Sequence, residues 1–243
     1  MSPSDSRPGG DPLRVGITGH RLDKLTEQDV AALRGTLGDV LAAVDAAALR
    51  LRGQLPPGDT PPDAPRCRLV SALAEGADRI AVDAAPPTWS LRALLPMPRE
   101  VYREDFLPDG RASSASAEAY EAYLRRADSV TELPIEAPLR DDPTNPEARI
   151  PQYAALGHAL VREIDLLVAI WDGRPASGPG GTATVIAEAV ERGLPVLWLD
   201  PRAAQPPALI EGFGGPDVAS PRRRTLDHGL LEARLAARLG LGA

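Results

Sequence analysis

Residues 164–200, IDLLVAIWDGRPASGPGGTATVIAEAVERGLPVLWLD, decide the fold of this chain. Residues 166–171 form a continuous apolar run, which is typical of a strand covered on both faces. A glycine-rich loop follows, and residues 182–192 then carry apolar side chains at helical spacing. Gly193 suits the end of that helix, and residues 194–199 form a second apolar run. Two buried strands joined through a helix predict a parallel unit with a right-handed crossover.

The rest of the chain repeats this alternation of strands and helices. Further apolar runs predict strands at 13–18, 66–72, 91–95 and 129–133, with a long helix between the first two. We therefore expect the α/β class, with a Rossmann-like, mainly parallel sheet and helices on both faces. The predicted organisation is a disordered segment at 1–12, a ligand-binding domain at 13–200, and a loop with a C-terminal amphipathic helix at 201–243.

Composition favours a soluble globular protein. Of the 243 residues, 43% are hydrophobic and 25% are charged. No apolar run approaches the roughly 20 residues that span a bilayer, and residues 1–12 lack the apolar core of a signal peptide. Cys67 is the only cysteine, so no internal disulfide can form, and the three histidines are far apart in sequence. We expect a cytoplasmic protein with no membrane partner and no metal site.

The formal net charge of −7 is the main indication about large partners. Proteins that bind nucleic-acid phosphates usually carry a basic excess, so the charge predicts no nucleic-acid partner. One basic cluster, Arg222 to Arg224, lies in a segment rich in proline, glycine and serine. It is interpreted as a solvated linker.

Four loops follow the carboxyl ends of predicted strands, where open α/β sheets bind their ligands. Glycines let a phosphate approach backbone N–H groups at a helix N-terminus. Hydroxyl groups and cationic side chains can bind the anionic part of a ligand, and carboxylates can accept hydrogen bonds from ribose hydroxyl groups. A tryptophan that ends a strand either stacks on a base or belongs to the core, and both interpretations stay open for Trp171. The predicted ligand contacts are Thr18, Gly19, His20, Arg21, Ser71, Glu75, Gly76, Asp78, Trp171, Asp172, Gly173, Gly180, Gly181 and Thr182.

Three motifs occur in a characteristic order: GITGHR at 16–21, SALAEGADRIA at 71–81, and WDG with GPGGTA at 171–183. Together they resemble the SLOG superfamily, which is related to the Lonely Guy phosphoribohydrolases and to the DNA-processing protein A family. The resemblance extends over most of residues 13–200. It implies a Rossmannoid pocket for a nucleotide or an NAD-derived, ADP-ribose-type molecule. In prokaryotes such domains often act as ligand sensors in conflict and stress signalling, with an effector protein or a homo-oligomer as partner.

One departure from the phosphoribohydrolase pattern bears on catalysis. That branch carries PGGxGTxxE, whose glutamate assists cleavage of the N-glycosidic bond. Ala187 stands at the glutamate position here, and Glu188 is about 100° further around the helix. The sequence therefore favours a sensor that binds its ligand without turnover. A nucleotide N-glycosidase that uses Glu75, Asp78 or Glu188 is the alternative, and a structural or nucleic-acid-binding relative of DNA-processing protein A is a third.

Overall fold

The computed structural model describes residues 11–19, 26–55, 64–107, 115–142, 145–175, 180–214 and 221–241. Its strands are β1 (Leu13–Gly19), β2 (Cys67–Ser71), β3 (Ser90–Leu95), β4 (Ser129–Glu132), β5 (Leu166–Ile170), β6 (Val196–Leu199), β7 (Ala208–Phe213) and β8 (Pro221–Thr225). They form one sheet in the order β4-β3-β2-β1-β5-β6-β7-β8. Pairing is parallel from β4 to β6, whereas β7 is antiparallel to both of its neighbours. This architecture confirms the predicted fold class.

Helices cover both faces of the sheet. One hydrophobic core contains side chains of α1, α2, α4 and α8, and the other contains side chains of α6 and α7. Successive residues of β1 point to opposite faces of the sheet. Val15 and Ile17 belong to the first core, whereas Gly16 contacts Leu160 and Ile164 of the second. The helices are α1 (Glu27–Arg52), α2 (Ala77–Ala84), α3 (Arg99–Arg103), α4 (Ala115–Arg126), α5 (Ala137–Asp141), α6 (Ile150–Glu163), α7 (Thr182–Glu191) and α8 (His228–Leu239), with 3-10 turns at Glu104–Phe106 and Pro146–Arg149.

Local sequence signals account for the central elements. Thr26 accepts from the backbone N–H of Asp29 and the Asp29 carboxylate accepts from the backbone N–H of Thr26, so a capping box starts α1. All five residues of β5 are buried, which agrees with the apolar run. Gly193 has φ of 71° just past the end of α7 and lets the chain turn into β6.

The segment after residue 200 differs from the sequence interpretation. Residues 208–213 and 221–225 are strands that extend the sheet, so the segment is more than a loop and a helix. Arg222 to Arg224 lie within β8, and their interpretation as a linker was wrong. Their side chains are exposed, so β8 has none of the apolar pattern that identifies a buried strand. The disorder predicted for 1–12 falls almost entirely outside the described residues.

Candidate functional site

The strand order creates one switch point, at the pair β1 and β5. The chain proceeds from β1 to β2, β3 and β4 on one side, and from β5 to β6 on the other. The two strands are in register, with Gly19 opposite Ile170 at their carboxyl ends. Open α/β sheets bind ligands in the crevice beyond such a pair, because the loops on either side diverge there.

Gly19 brings three elements together at this crevice. A Cβ atom at this position would lie 2.6 Å from the Cβ of Ala77, at the start of α2, and 2.8 Å from the carbonyl oxygen of Ile170. Any larger residue would therefore force α2 and the end of β5 apart. Thr18, directly before it, is buried in β1. The predicted contacts His20 and Arg21 lie outside the described residues.

A second close approach occurs at the start of α7. Gly180 has φ of 77°, and a Cβ atom there would lie 2.6 Å from the carbonyl carbon of Tyr153 and from the nitrogen of Ala154 in α6. The turn therefore rests directly on the α6 backbone. Gly181 occupies the N-cap of α7, where no side-chain cap is found among the described residues, and Thr182 is the first helical residue. A helix start of this kind offers N–H groups to an anion.

The loop after β5 is held by two indole groups. The Trp198 ring N–H donates to the carbonyl oxygen of Trp171 over 2.7 Å, and the Trp171 ring N–H donates to the carbonyl oxygen of Arg174 over 2.8 Å. The Arg174 backbone N–H donates to the carboxylate of Asp172 over 3.1 Å. Gly173 completes the turn with φ of 82°. These contacts fix the loop, and they leave Asp172 at its exposed side.

Trp171 itself is a core residue. Only 1% of its surface is exposed, and it lies in the hydrophobic core shared with α7. A ring buried to this extent presents no face to a ligand, so of the two interpretations left open by the sequence the structure supports the core one. Its contribution to the site is the position of the loop, through the hydrogen bonds of its ring and its carbonyl group.

The loop between β2 and α2 is organised by the buried carboxylate of Asp78. This group accepts from the Ser71 hydroxyl over 2.9 Å and from the Ala72 backbone N–H over 2.8 Å. Burial raises the pKa of Asp78 to about 6, although these hydrogen bonds and one from the Ala74 backbone act in the opposite direction. Ser71 in turn accepts from the backbone N–H of Leu73 over 3.0 Å. Both predicted ligand contacts, Ser71 and Asp78, thus hold the loop together internally.

Strain is concentrated in the same loop. Leu73 has φ of 59°, which is unfavourable for a side chain with a Cβ atom, and Gly76 follows with φ of 94° as the N-cap of α2. Residues held in such conformations cluster at ligand sites in folded proteins. Arg79 stabilises the strained turn by donating from Nε to the carbonyl oxygen of Leu73 over 3.0 Å.

Glu75 is the partly exposed carboxylate of this loop. Its Oε1 accepts from the hydroxyl of Ser116, at the start of α4. Arg79 donates to the same hydroxyl over 3.1 Å and stacks on Phe106, with 4.7 Å between the guanidinium carbon and the ring centroid. One terminal nitrogen of Arg79, Nη2, is buried without a hydrogen-bond partner among the described residues. Loop and α4 are therefore connected through charged and hydroxyl groups beside the crevice.

A buried acid fixes the first turn of α6, against which Gly180 rests. The Tyr153 hydroxyl donates to Asp105, and Arg149 Nη1 lies 2.8 Å from the other oxygen of that carboxylate. The Asp105 side chain is only 9% exposed. Sequence reasoning missed these residues and Ser116, because each is distant in sequence from the glycine motifs. It gave Arg79 no role, although Arg79 lies within the motif at 71–81, because its partners Ser116 and Phe106 are far along the chain. No local pattern identifies them.

The carboxylates considered for hydrolysis are not gathered at one point. Glu188 Oε2 lies 2.5 Å from Nδ1 of His158, so it belongs to the α6–α7 contact rather than to the N-terminus of α7. Asp78 is enclosed in its loop, and Glu75 bonds to Ser116. Among the described residues, no group of three or more His, Cys, Asp or Glu side chains is arranged to hold a metal ion.

Comparisons with known proteins give a likeness among solved structures. No protein-family model matches the chain, and no curated protein matches it. Among solved structures, the X-ray structure of DNA processing protein A (DprA) from Streptococcus pneumoniae is similar, with a TM-score of 0.43 and 13% sequence identity. The match covers 77% of this chain and 50% of that chain, so this chain corresponds to about half of that protein's length. The likeness concerns the fold alone, and the sheet order itself defines an α/β, Rossmann-like protein.

Two expectations about partners are affected by these findings. A DNA processing protein is among the similar structures, and this finding contradicts the prediction of no nucleic-acid partner. The physical reason is that a net charge of −7 is a sum over the whole chain, and it does not describe how charge is distributed locally. No described helix has the length and apolar character required to cross a membrane.

Proposed function

We propose that this chain is a binding domain for a nucleotide or an NAD-derived, ADP-ribose-type ligand, held in the crevice beyond β1 and β5. The observation that carries the proposal is a pair of close glycine contacts at the starts of α2 and α7. Gly19 brings the start of α2 to the end of β5, and Gly180 seats the start of α7 on α6. Both helices have glycine N-caps and follow strands of the parallel sheet, so we expect their N-termini at the carboxyl edge of the sheet, where both favour negative charge such as a phosphate.

The polar part of a nucleotide also has candidate partners. Glu75 and Asp172 lie on the two loops that border the crevice, and carboxylates accept hydrogen bonds from ribose hydroxyl groups. The loops are held in place before any ligand arrives, by Asp78 on one side and by the two indole N–H groups on the other. A site prepared in this way loses little conformational entropy on binding.

Binding without turnover is the favoured activity, as in a sensor for prokaryotic conflict or stress signalling. Cleavage of an N-glycosidic bond needs a carboxylate beside the bond to stabilise the developing positive charge and to activate water. Glu188 pairs with His158 and Asp78 is buried in its own loop. The alternative, a nucleotide N-glycosidase, keeps support from Glu75, which is partly exposed on the loop beside the crevice.

The proposal is tested by thermal denaturation with AMP, NAD, ADP-ribose and cyclic ADP-ribose isomers. A ligand present at 100 times its dissociation constant stabilises the fold by about 2.7 kcal/mol. Gly181→Val should abolish that stabilisation, because φ of −70° and ψ of 161° accept a branched residue while the new side chain covers the helix start. Thr184→Val, on an exposed position of the same helical turn, is the control. If Gly181→Val binds the ligand with the same affinity as the unaltered chain and the Thr184→Val control, the α7 N-terminus is excluded from the site.

Turnover is measured by chromatography of the free base after incubation with the same ligands. We expect no release of base from a ligand that binds. Multiple turnovers that disappear in Glu75→Gln but persist in Glu188→Gln would establish the N-glycosidase and overturn the sensor proposal. In the sensor case, the next measurement is ligand-dependent association with an effector protein or with a second copy of the chain.

A further inference from the structure

The outermost strand β8 forms an open edge of the sheet. Its residues Pro221–Thr225 pair with β7 on one side, and within the described part of the chain no strand pairs with the other side. An edge of this kind presents a row of backbone N–H and C=O groups that match another extended polypeptide. Residues 222–225 are all exposed, so nothing described in the fold covers this row.

Positive charge is concentrated along the same edge. The guanidinium carbon of Arg223 lies 4.0 Å from the centroid of the Trp198 ring, on one face of the sheet. Arg224 lies on the opposite face, 3.9 Å from Glu211, and that carboxylate is shared with Arg234 at 3.4 Å. Arg222 and Arg223 have no ion pair among the described residues. The edge therefore carries an excess of positive charge directed to both faces.

We propose that β8 binds an acidic, extended segment of a partner polypeptide by strand addition. Such a segment satisfies both features of the edge at once. Its backbone continues the hydrogen-bond ladder, and its alternate side chains project to the two faces, where glutamates or aspartates meet arginines from both sides. Arginine suits this role because its planar group binds a carboxylate through two parallel hydrogen bonds.

Other anionic surfaces match only part of this arrangement. A membrane is flat and meets the arginines of one face, and the exposed large apolar side chains of the described residues, Leu49 and Ile150, lie outside β8. A nucleic-acid strand offers phosphates to the arginines, but it leaves the backbone groups of the edge without partners. The combination of an open ladder with charge on both faces therefore favours a polypeptide at this strand.

The test uses fluorescence anisotropy with a labelled peptide of about ten residues in which pairs of glutamates alternate with pairs of threonines or valines, so that carboxylates lie on both faces of the added strand. At low ionic strength we expect saturable binding to the full chain, weakened about tenfold or more by Arg222→Glu combined with Arg224→Glu. The control variant, Arg34→Glu with Arg192→Glu, changes the net charge equally at exposed positions on α1 and beyond α7. It should bind the peptide within about twofold of the unaltered chain. Circular dichroism verifies that both variants are folded.

A second peptide separates strand addition from charge attraction alone. Methylation of alternate backbone nitrogens removes the donors of the ladder and keeps every carboxylate, so we expect a loss of about tenfold or more. Equal binding of the methylated peptide, or no binding of the unmodified one, would overturn the proposal. Displacement of the peptide by an oligothymidylate of equal charge at equal affinity would identify β8 as a nucleic-acid surface instead. None of these outcomes depends on whether a nucleotide binds at the crevice.

Discussion

The buried carboxylate of Asp78 leads to a prediction about the pH dependence of stability. Its pKa is about 6 in the folded chain, against an ordinary value of 3.8. Between these values the folded state holds the proton more tightly than the unfolded state does. The contribution of this group to stability is therefore fully present below pH 3.8 and is lost as pH rises through about 6. The loss is on the order of 3 kcal/mol.

Asp78→Asn isolates this effect. Asparagine keeps an oxygen for the Ser71 hydroxyl and the Ala72 N–H, but it does not titrate. We expect the free energy of unfolding of the native chain, minus that of the variant, to fall by on the order of 3 kcal/mol between about pH 4 and pH 7. Urea denaturation at several pH values measures this difference. Asp39→Asn, at an exposed position of α1, is the control for the loss of one carboxylate elsewhere on the chain.

The values for the variant are subtracted from those for the native chain because other acidic groups make contributions to stability that change with pH in the opposite direction. Burial raises the pKa of Asp45, but the hydrogen bonds from Arg66 and Trp89 together with the charge of Arg66 lower it by more. The pKa therefore lies below its ordinary value, and the contribution of Asp45 to stability is lost as the pH falls. A difference between the native chain and Asp78→Asn that stays constant, or that rises with pH, would refute the argument. It would mean that water or an unpaired donor reaches the Asp78 carboxylate and offsets its burial.

Three further predictions concern the free energy of unfolding. Gly180→Ala should lower it by more than about 2 kcal/mol in urea denaturation, because strain at positive φ adds to a clash with the α6 backbone. Gly193→Ala has the same strain but open space and should lower it by about 1 kcal/mol, and equal losses would contradict the contact with α6. Arg14→Met should lower the free energy of unfolding by about 1.5–3 kcal/mol in the same assay, because it removes two side-chain hydrogen bonds to the buried Asp165 carboxylate. An unchanged free energy of unfolding would mean that other donors satisfy this carboxylate. Trp198→Phe keeps a ring but leaves a buried carbonyl without its donor, so thermal denaturation should show a loss of about 1–3 kcal/mol, and an unchanged melting temperature would show that the indole bond is dispensable.

The central strands and their helices followed from the sequence alone. Their signals are local, since a buried strand needs a continuous apolar run and a helix needs an apolar face with a cap. Thr26 and the run at 166–170 illustrate both cases. The same reasoning missed β7 and β8. An edge strand such as β8 buries little surface, so it can consist of arginines, and only its pairing with β7 identifies it as a strand.

The glycines of the candidate site were also accessible from the sequence, because they follow strands and precede helices. The sequence did not show why glycine is needed at these positions. At Gly19 a Cβ atom would collide with Ala77 and Ile170, and at Gly180 it would collide with the backbone of Tyr153. Whether a polar or aromatic side chain faces a ligand or the interior depends on partners far along the chain. Trp171 and Asp78 have the residue types of a ligand site, yet the packing of α7 buries the first and the β2–α2 loop encloses the second. Sequence thus determined which segments follow the carboxyl ends of the central strands. Tertiary contacts decided which of their side chains are directed into the protein, because burial is set by the whole fold rather than by neighbours in sequence.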